Sequence, residues 1–287
     1  MRNIIAFILL SFMMLQFMSG CGAGGNVSSD CDTVAFVAQK NSDSISFPIS
    51  KGGTGVAKAK VVLMVPSQYR DTAETAKLQH MLAAWLTSSD TIVSDGNLAS
   101  ICVAMLLSRF DTGEVYEIDD VNSDFEVLDN DRLSVDMNVD VAPCFNAQSL
   151  LSVCRTSTTR YNNEEPSTEH TFYNVNLATM KRITLDDIFR EEALPALNNL
   201  LKQQLVAGAG AKDVNDMLEL GYFNLDNLTA NNNFKITSEG LTWVYLPLEI
   251  ACFRVGETQI SLSYDELADF FVATNNPLNS ITHATDR

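Results

Sequence analysis

The chain has 287 residues, 46% of them apolar and 19% charged, enough to bury a sizeable core in one or two domains. Its formal net charge of −17 repels nucleic-acid phosphates and anionic lipid headgroups, so neither is expected as a partner. The same charge keeps a protein soluble and attracts a cationic protein or peptide.

The first element is a leader. Arg2 precedes an apolar run from Ile4 to Leu15 that ends in Met18-Ser19-Gly20-Cys21. A short positive start, an apolar middle and a small-residue exit describe a secretory signal peptide over residues 1–20. Ser11 and Gln16 break the run below the roughly 20 apolar residues that a membrane span needs. The Ser-Gly-Cys ending resembles the bacterial lipobox. That resemblance implies cleavage before Cys21, acylation (palmitate) of Cys21, and a body tethered to the cell envelope through residues 21–31. Several acyl chains anchor a protein stably, whereas one does so marginally. An ordinary secretory peptide is the alternative. Either way, cytosolic metabolism and ATP-driven chemistry are excluded. Gly22 is not the aspartate linked to inner-membrane retention in some Gram-negative bacteria, so the outer membrane is favoured over the inner.

The body then reads as strands and helices. Asp32 to Val37 begins a strand, and Val56 to Val65 is a second, ended by Pro66. Gly52-Gly53-Thr54-Gly55 is a turn between them, since no Lys-Ser/Thr follows to make a phosphate loop. Leu78, Met81, Leu82, Trp85 and Leu86 share one helical face within Arg70 to Leu86. Leu98 to Phe110 is a buried helix or strand, and periodicity does not decide between them. Leu133, Val135, Met137, Val139 and Val141 alternate with polar residues, a strand with one wet face. A strand pair follows from Thr156 to Leu177, broken near Asn162-Asn163. Thr184-Leu185-Asp186-Asp187 opens a helical region, Leu194 to Val206 is amphipathic with Pro195 near its start, and Asp213 to Leu220 is a short helix stopped by Gly221. Phe234 to Tyr264 reads as three strands, with Leu241, Trp243 and Tyr245 on one face. Asp265 to Val272 is a closing helix. Strands and helices without regular βαβ units give an α+β fold of antiparallel sheets with packed helices. The expected division is an N-terminal lobe over 32–155, a similar-sized C-terminal domain over 156–275 and a loose tail over 276–287.

Outside the cytoplasm, cysteines can pair. Cys144 and Cys154 flank a short segment and are the best candidates for a disulfide. Cys102 lies in an apolar run and reads as a small buried hydrophobe.

Two segments carry a family resemblance. Phe172-Tyr173-Asn174-Val175-Asn176-Leu177 with Lys181-Arg182-Ile183-Thr184-Leu185-Asp186-Asp187-Ile188-Phe189 is one half. Phe234-Lys235-Ile236-Thr237-Ser238-Glu239-Gly240-Leu241 leading to Pro247-Leu248-Glu249-Ile250-Ala251 is the other. Together they resemble the extracytoplasmic domain of unknown function found in the lysozyme-sensing anti-sigma factor RsiV and as an accessory domain of the peptidoglycan deacetylase PdaC. The resemblance covers roughly residues 170–272, and residues 32–155 sit where a companion domain usually precedes it. Leu248 stands where that family commonly has tyrosine, and Cys252 where it often has proline. No sigma-binding segment or deacetylase domain is expected here. The resemblance implies a partner such as lysozyme, with Pro247, Leu248 and Glu249 as the contact segment. A structural bend is the competing reading of those three residues.

Catalytic signatures do not emerge. His80, His170 and His283 are scattered, and neither a zinc-type spacing nor a Gly-x-Ser-x-Gly elbow occurs. Asp136-Met137-Asn138-Val139-Asp140 lacks the glycine and later glutamate of a calcium loop, and alternate residues of a strand stand about 6.6 Å apart. The cluster Glu114, Glu117, Asp119, Asp120, Asp124, Glu126, Asp129 and Asp131 reads as a solvated hairpin surface or as a docking face for a basic protein. The expectation is a non-enzymatic envelope lipoprotein without metal or cofactor that binds a cationic protein. A peptidoglycan- or polysaccharide-binding module is the alternative, with exposed aromatics such as Trp243 or Tyr245 lining a groove. A carboxylate-pair glycan hydrolase ranks third.

Overall fold

The computed structural model describes residues 33–50, 53–89, 97–112, 114 and 132–282. Alternation builds the first half. β1 (Ala35–Pro48) and β2 (Thr54–Gln68) form a long hairpin whose inner face carries Ala57, Ala59, Val61, Leu63 and Val65, all buried. Within β2, Gly55 is required by a close approach: a Cβ there would stand 2.3 Å from the Phe47 ring. Gly55 therefore belongs to the strand rather than to the expected turn. Pro66 also lies inside β2, at the bulge where the register with β1 slips beside Phe36. The pairing with β3 ends at Leu63, so the N–H that proline lacks has no strand to serve on that side.

The chain crosses over through α1 (Thr72–Thr87) and α2 (Leu98–Leu107) before β3 (Arg132–Ala147). Asp71 caps α1 by accepting from Glu74 N, and Leu78, Leu82 and Leu86 face the core as the spacing predicts. The ambiguous run from Leu98 is helical, capped by Asn97. This crossover makes β2 and β3 a parallel pair, which departs from an all-antiparallel expectation. Parallel neighbours need such a long connection. β4 (Leu150–Tyr161), β5 (Ser167–Asn176) and β6 (Lys181–Arg182) follow antiparallel, completing a six-stranded sheet in the order β1-β2-β3-β4-β5-β6. Both helices pack on one face of it, and Trp85 of α1 stacks on Tyr173 of β5 at 5.3 Å.

The second core gathers α3 (Leu185–Ile188), α4 (Leu194–Gly208), α5 (Val214–Glu219) and a three-stranded antiparallel sheet of β7 (Phe234–Ile236), β8 (Gly240–Tyr245) and β9 (Thr258–Ser263). Thr184 and Asp187 close a capping box on α3, and Pro195 sits in the first turn of α4. Trp243 is fully buried between Phe189 and Phe234, with ring centroids 6.0 and 6.4 Å away. α6 (Tyr264–Leu267) is shorter than the expected closing helix and continues as a 3-10 turn over 268–270.

Two boundaries differ from expectation. The division at 155/156 falls inside β4, because residues 156–182 pair into the first sheet and the second core begins after β6. The described part of the tail is structured: Leu278, just before α7 (Asn279–Thr282), and Ile281 within it are buried against the second core. Residues 283–287 lie outside the described part.

The second core makes a prediction about alkaline pH. Tyr264 donates its hydroxyl to Thr237 O at 2.7 Å, and Tyr245 donates to Thr229 O at 2.9 Å. Burial pushes both phenols well above their ordinary range, and for Tyr245 the Glu249 carboxylate adds to it. A raised folded pKa stabilises the fold below the unfolded value of about 10 and loses that stability as pH rises past it. The contribution of these two phenols to stability in urea is therefore expected to be flat to about pH 10, above the range where the buried Cys102, Cys144 and Cys154 thiols begin to cost stability, and then to fall by up to about 1.4 kcal/mol per pH unit per phenol. The Tyr264→Phe variant should show a shallower decline, and an unchanged slope would remove Tyr264 from the account.

Candidate functional site

The segment between β8 and β9 presents the feature that packing explains least. Leu246 N donates to Glu249 Oε2 at 2.7 Å, Glu249 N to Leu246 O at 3.1 Å, and Leu248 N to Ala251 O at 3.1 Å. These bonds close a tight turn over the sequence-predicted residues Pro247, Leu248 and Glu249. Pro247 is half-buried and Glu249 exposed. Leu248 has φ +71° and is 60% exposed. A branched apolar residue in the left-handed region is strained, and no burial of its side chain offsets that strain here.

A second turn follows. Val255 N donates to Cys252 O at 3.0 Å and Gly256 N to Phe253 O at 3.1 Å, with Gly256 at φ +76°. Phe253 is 46% exposed at its tip. The segment is fastened to the end of α5. Tyr222 and Ala251 form an antiparallel bridge, Cys252 N donates to Gly221 O at 2.8 Å, and Phe223 N donates to Ile250 O at 2.8 Å. Gly221 has φ +95°, and a Cβ on it would lie 2.7 Å from Cys252 Sγ. Only glycine allows α5 to end there. Leu218 and Leu220, next to this junction, are also exposed. Thus four of the six exposed large apolar side chains among the described residues lie on two segments stitched together.

Glu257 fixes the far end of the segment. His170 N donates to Glu257 Oε2 at 2.6 Å, His170 Nδ1 lies 3.0 Å from both carboxylate oxygens, and Gln259 Nε2 donates to Oε1 at 2.7 Å. Asn233 adds to this seam. Its Oδ1 accepts from Phe172 N at 2.9 Å, and its Nδ2 donates to His170 O at 3.0 Å. The six-stranded sheet is thereby bonded to the small one beside the exposed turns. Neither His170 nor Asn233 stood out in the sequence, since each bonds to a residue more than 60 positions away.

The other candidates are placed as follows. Cys144 and Cys154 are free thiols, which corrects the expected disulfide. Cys144 is the extra residue of a β3 bulge while Cys154 pairs with Ala142, so the two are offset rather than opposed. The Cys144 thiol instead contacts Ser152 Oγ at 3.3 Å, and burial pushes both thiols up. Cys102 is buried in α2. Trp243 and Tyr245 are core residues, so neither lines a groove. Asp136, Asn138 and Asp140 are spread along the outer face of β3, and His80 is exposed on α1. Of the acidic cluster only Glu114 is described, and it is exposed; the remainder, like Cys21 and His283, lies outside the described residues. Among the described residues no group of metal-binding side chains converges, and no helix is long and apolar enough to cross a membrane.

Residues 186–265 match the family described as "Protein of unknown function (DUF3298)". The fold is similar to that of a DUF3298 family member from Bacteroides fragilis NCTC 9343, with a TM-score of 0.64 and 16% identity over 88% of this chain and 99% of that one. It is also similar to a DUF3298 family protein from Pseudomonas aeruginosa PAO1, with a TM-score of 0.51 and 11% identity over 84% and 97%. Comparison with curated proteins gives no match. The matched residues contain both exposed turns and all three strands of the small sheet.

Proposed function

We propose that this chain is a lipid-anchored protein of the bacterial cell envelope that captures a cationic protein, such as a lysozyme, on the turn at Pro247, Leu248 and Glu249. The observation that carries this reading is Leu248, exposed and held at positive φ on a bonded turn. Strained residues persist where function uses them, and interfaces are dominated by a few apolar anchors in a polar surround. Phe253 supplies a second anchor beside the first. The net charge of −17 supports a basic partner by steering its approach. The resemblance to the lysozyme-sensing domain agrees with that partner class. No chemistry is assigned to the site.

The test is capture of hen lysozyme by the soluble body, residues 22–287, at low and at high salt. Binding should weaken steeply as salt rises, because exposed charges beyond a Debye length of about 10 Å at 0.1 M are screened. Cytochrome c, basic but differently shaped, should bind far more weakly. Failure to bind lysozyme at low salt, or equal capture of cytochrome c, would overturn the reading. The glycan alternative loses its expected groove with the burial of Trp243 and Tyr245.

A further inference from the structure

The outer face of the six-stranded sheet, opposite α1 and α2, carries side chains that neither core uses. Register places them in ranks. Ser44, Lys58, Asp136 and Arg160 are neighbours across β1 to β4, and Ser42, Lys60, Asn138 and Thr158 form the next rank. Neighbours across strands stand about 4.8 Å apart, and ranks about 6.6 Å apart. These ranks line a depression of about 630 Å³. Six of the eight are exposed, and Asp136 and Thr158 are half-exposed.

Three cations meet here in a chain of net charge −17. Lys58 lies 3.9 Å from Asp136, a loose pairing. Among the described residues neither Lys60 nor Arg160 has a carboxylate within ion-pair distance. Asp43 also lines the depression, its Oδ1 accepting from Ser44 N at 2.8 Å, which with Asp136 leaves the three cations a local excess of one; the remaining lining groups are hydroxyls and an amide, which exchange hydrogen bonds with sugar hydroxyls. No aromatic ring floors the depression, which argues against base stacking and leaves a sugar to be held by hydrogen bonds and ion pairs rather than by ring stacking. The high negative charge elsewhere disfavours a dense polyanion at long range. Within a Debye length the local cations decide, and they suit isolated carboxylates.

We infer that this face binds a glycan strand bearing sparse carboxylates, with Lys60 and Arg160 holding carboxylates and Ser42, Ser44, Asn138 and Thr158 bonding sugar hydroxyls. The site is separate from the turn at Leu248 and does not depend on the reading given to that turn.

The experiment is calorimetric titration of the soluble body with a hyaluronan hexasaccharide, a carboxylated glycan, and with chitohexaose, a neutral one. The carboxylated sugar should bind, the neutral one more weakly. The Lys60→Glu/Arg160→Glu variant should lose about tenfold or more in affinity. Asn138→Ala, a milder change on the same face, should weaken binding with unchanged thermal stability. Lysozyme capture should not fall in any variant, and should be unchanged in Asn138→Ala, which separates this site from the other. No binding, equal binding of chitohexaose, indifference to both variants, or equal binding of a DNA oligonucleotide through the same cations would each overturn the inference.

Discussion

Trp243→Ala is expected to cost about 3–5 kcal/mol of stability, the range for deleting a large aromatic side chain from a packed core. The indole is fully buried on the central strand of the small sheet and touches rings from either side of its core. Trp243→Phe separates two contributions. The indole Nε1 is buried without a hydrogen-bond partner in this structure. Phenylalanine removes that donor, so it should recover a good part of the loss, leaving mainly the cavity from the smaller ring. Urea unfolding with an unchanged m-value is the readout. A loss below about 1 kcal/mol for alanine would mean that the second core does not depend on this residue.

The second large effect is on binding. Leu248→Ala should lower affinity for lysozyme by about 2 kcal/mol, roughly thirty-fold, with little change in stability, because alanine keeps the same backbone strain. Leu248→Gly should lose binding equally while raising stability by about 0.5–1 kcal/mol, since glycine takes φ +71° without a Cβ clash. A residue that weakens the fold and strengthens the complex shows this opposition. A purely structural bend would show the stability gain alone. Binding unchanged in both variants would return the turn to that role and leave the partner to another surface.

The two turns also show where sequence reasoning stopped. Pro247, Leu248 and Glu249 stood out by resemblance to a family motif, and the spacing of apolar residues placed a link between two strands there. What the turn does with Leu248 depends on Glu249 reaching back to Leu246 N and on Ala251 bridging to Tyr222. The second contact joins residues 29 positions apart, and no local pattern encodes it. Likewise, the short spacing of Cys144 and Cys154 suggested a disulfide, but one extra residue in β3 shifted the thiols out of opposition. A bulge is invisible to alternation, which reports only which face a residue prefers.

The sheet face follows the same division. The wet side of β3 was legible from its polar alternates, Asp136 and Asn138, on that strand alone. That Lys60 and Arg160 flank them required β2 to pair parallel and β4 antiparallel with β3. Strand order and direction come from a crossover and from loop lengths, so the chemistry of the face is a property of four strands at once.

By itself the sequence determined the α+β class, the faces of the helices and most strands, and the long-range sign of the electrostatic field, because periodicity, capping residues and net charge are local or additive. Tertiary structure alone decided the parallel β2–β3 pair, the extent of the first sheet past residue 155, the free thiols, the His170–Glu257 seam and the docked Leu278 and Ile281. Each of these depends on which distant partner a segment meets, and that is settled by mutual burial of surfaces rather than by the preference of either segment alone.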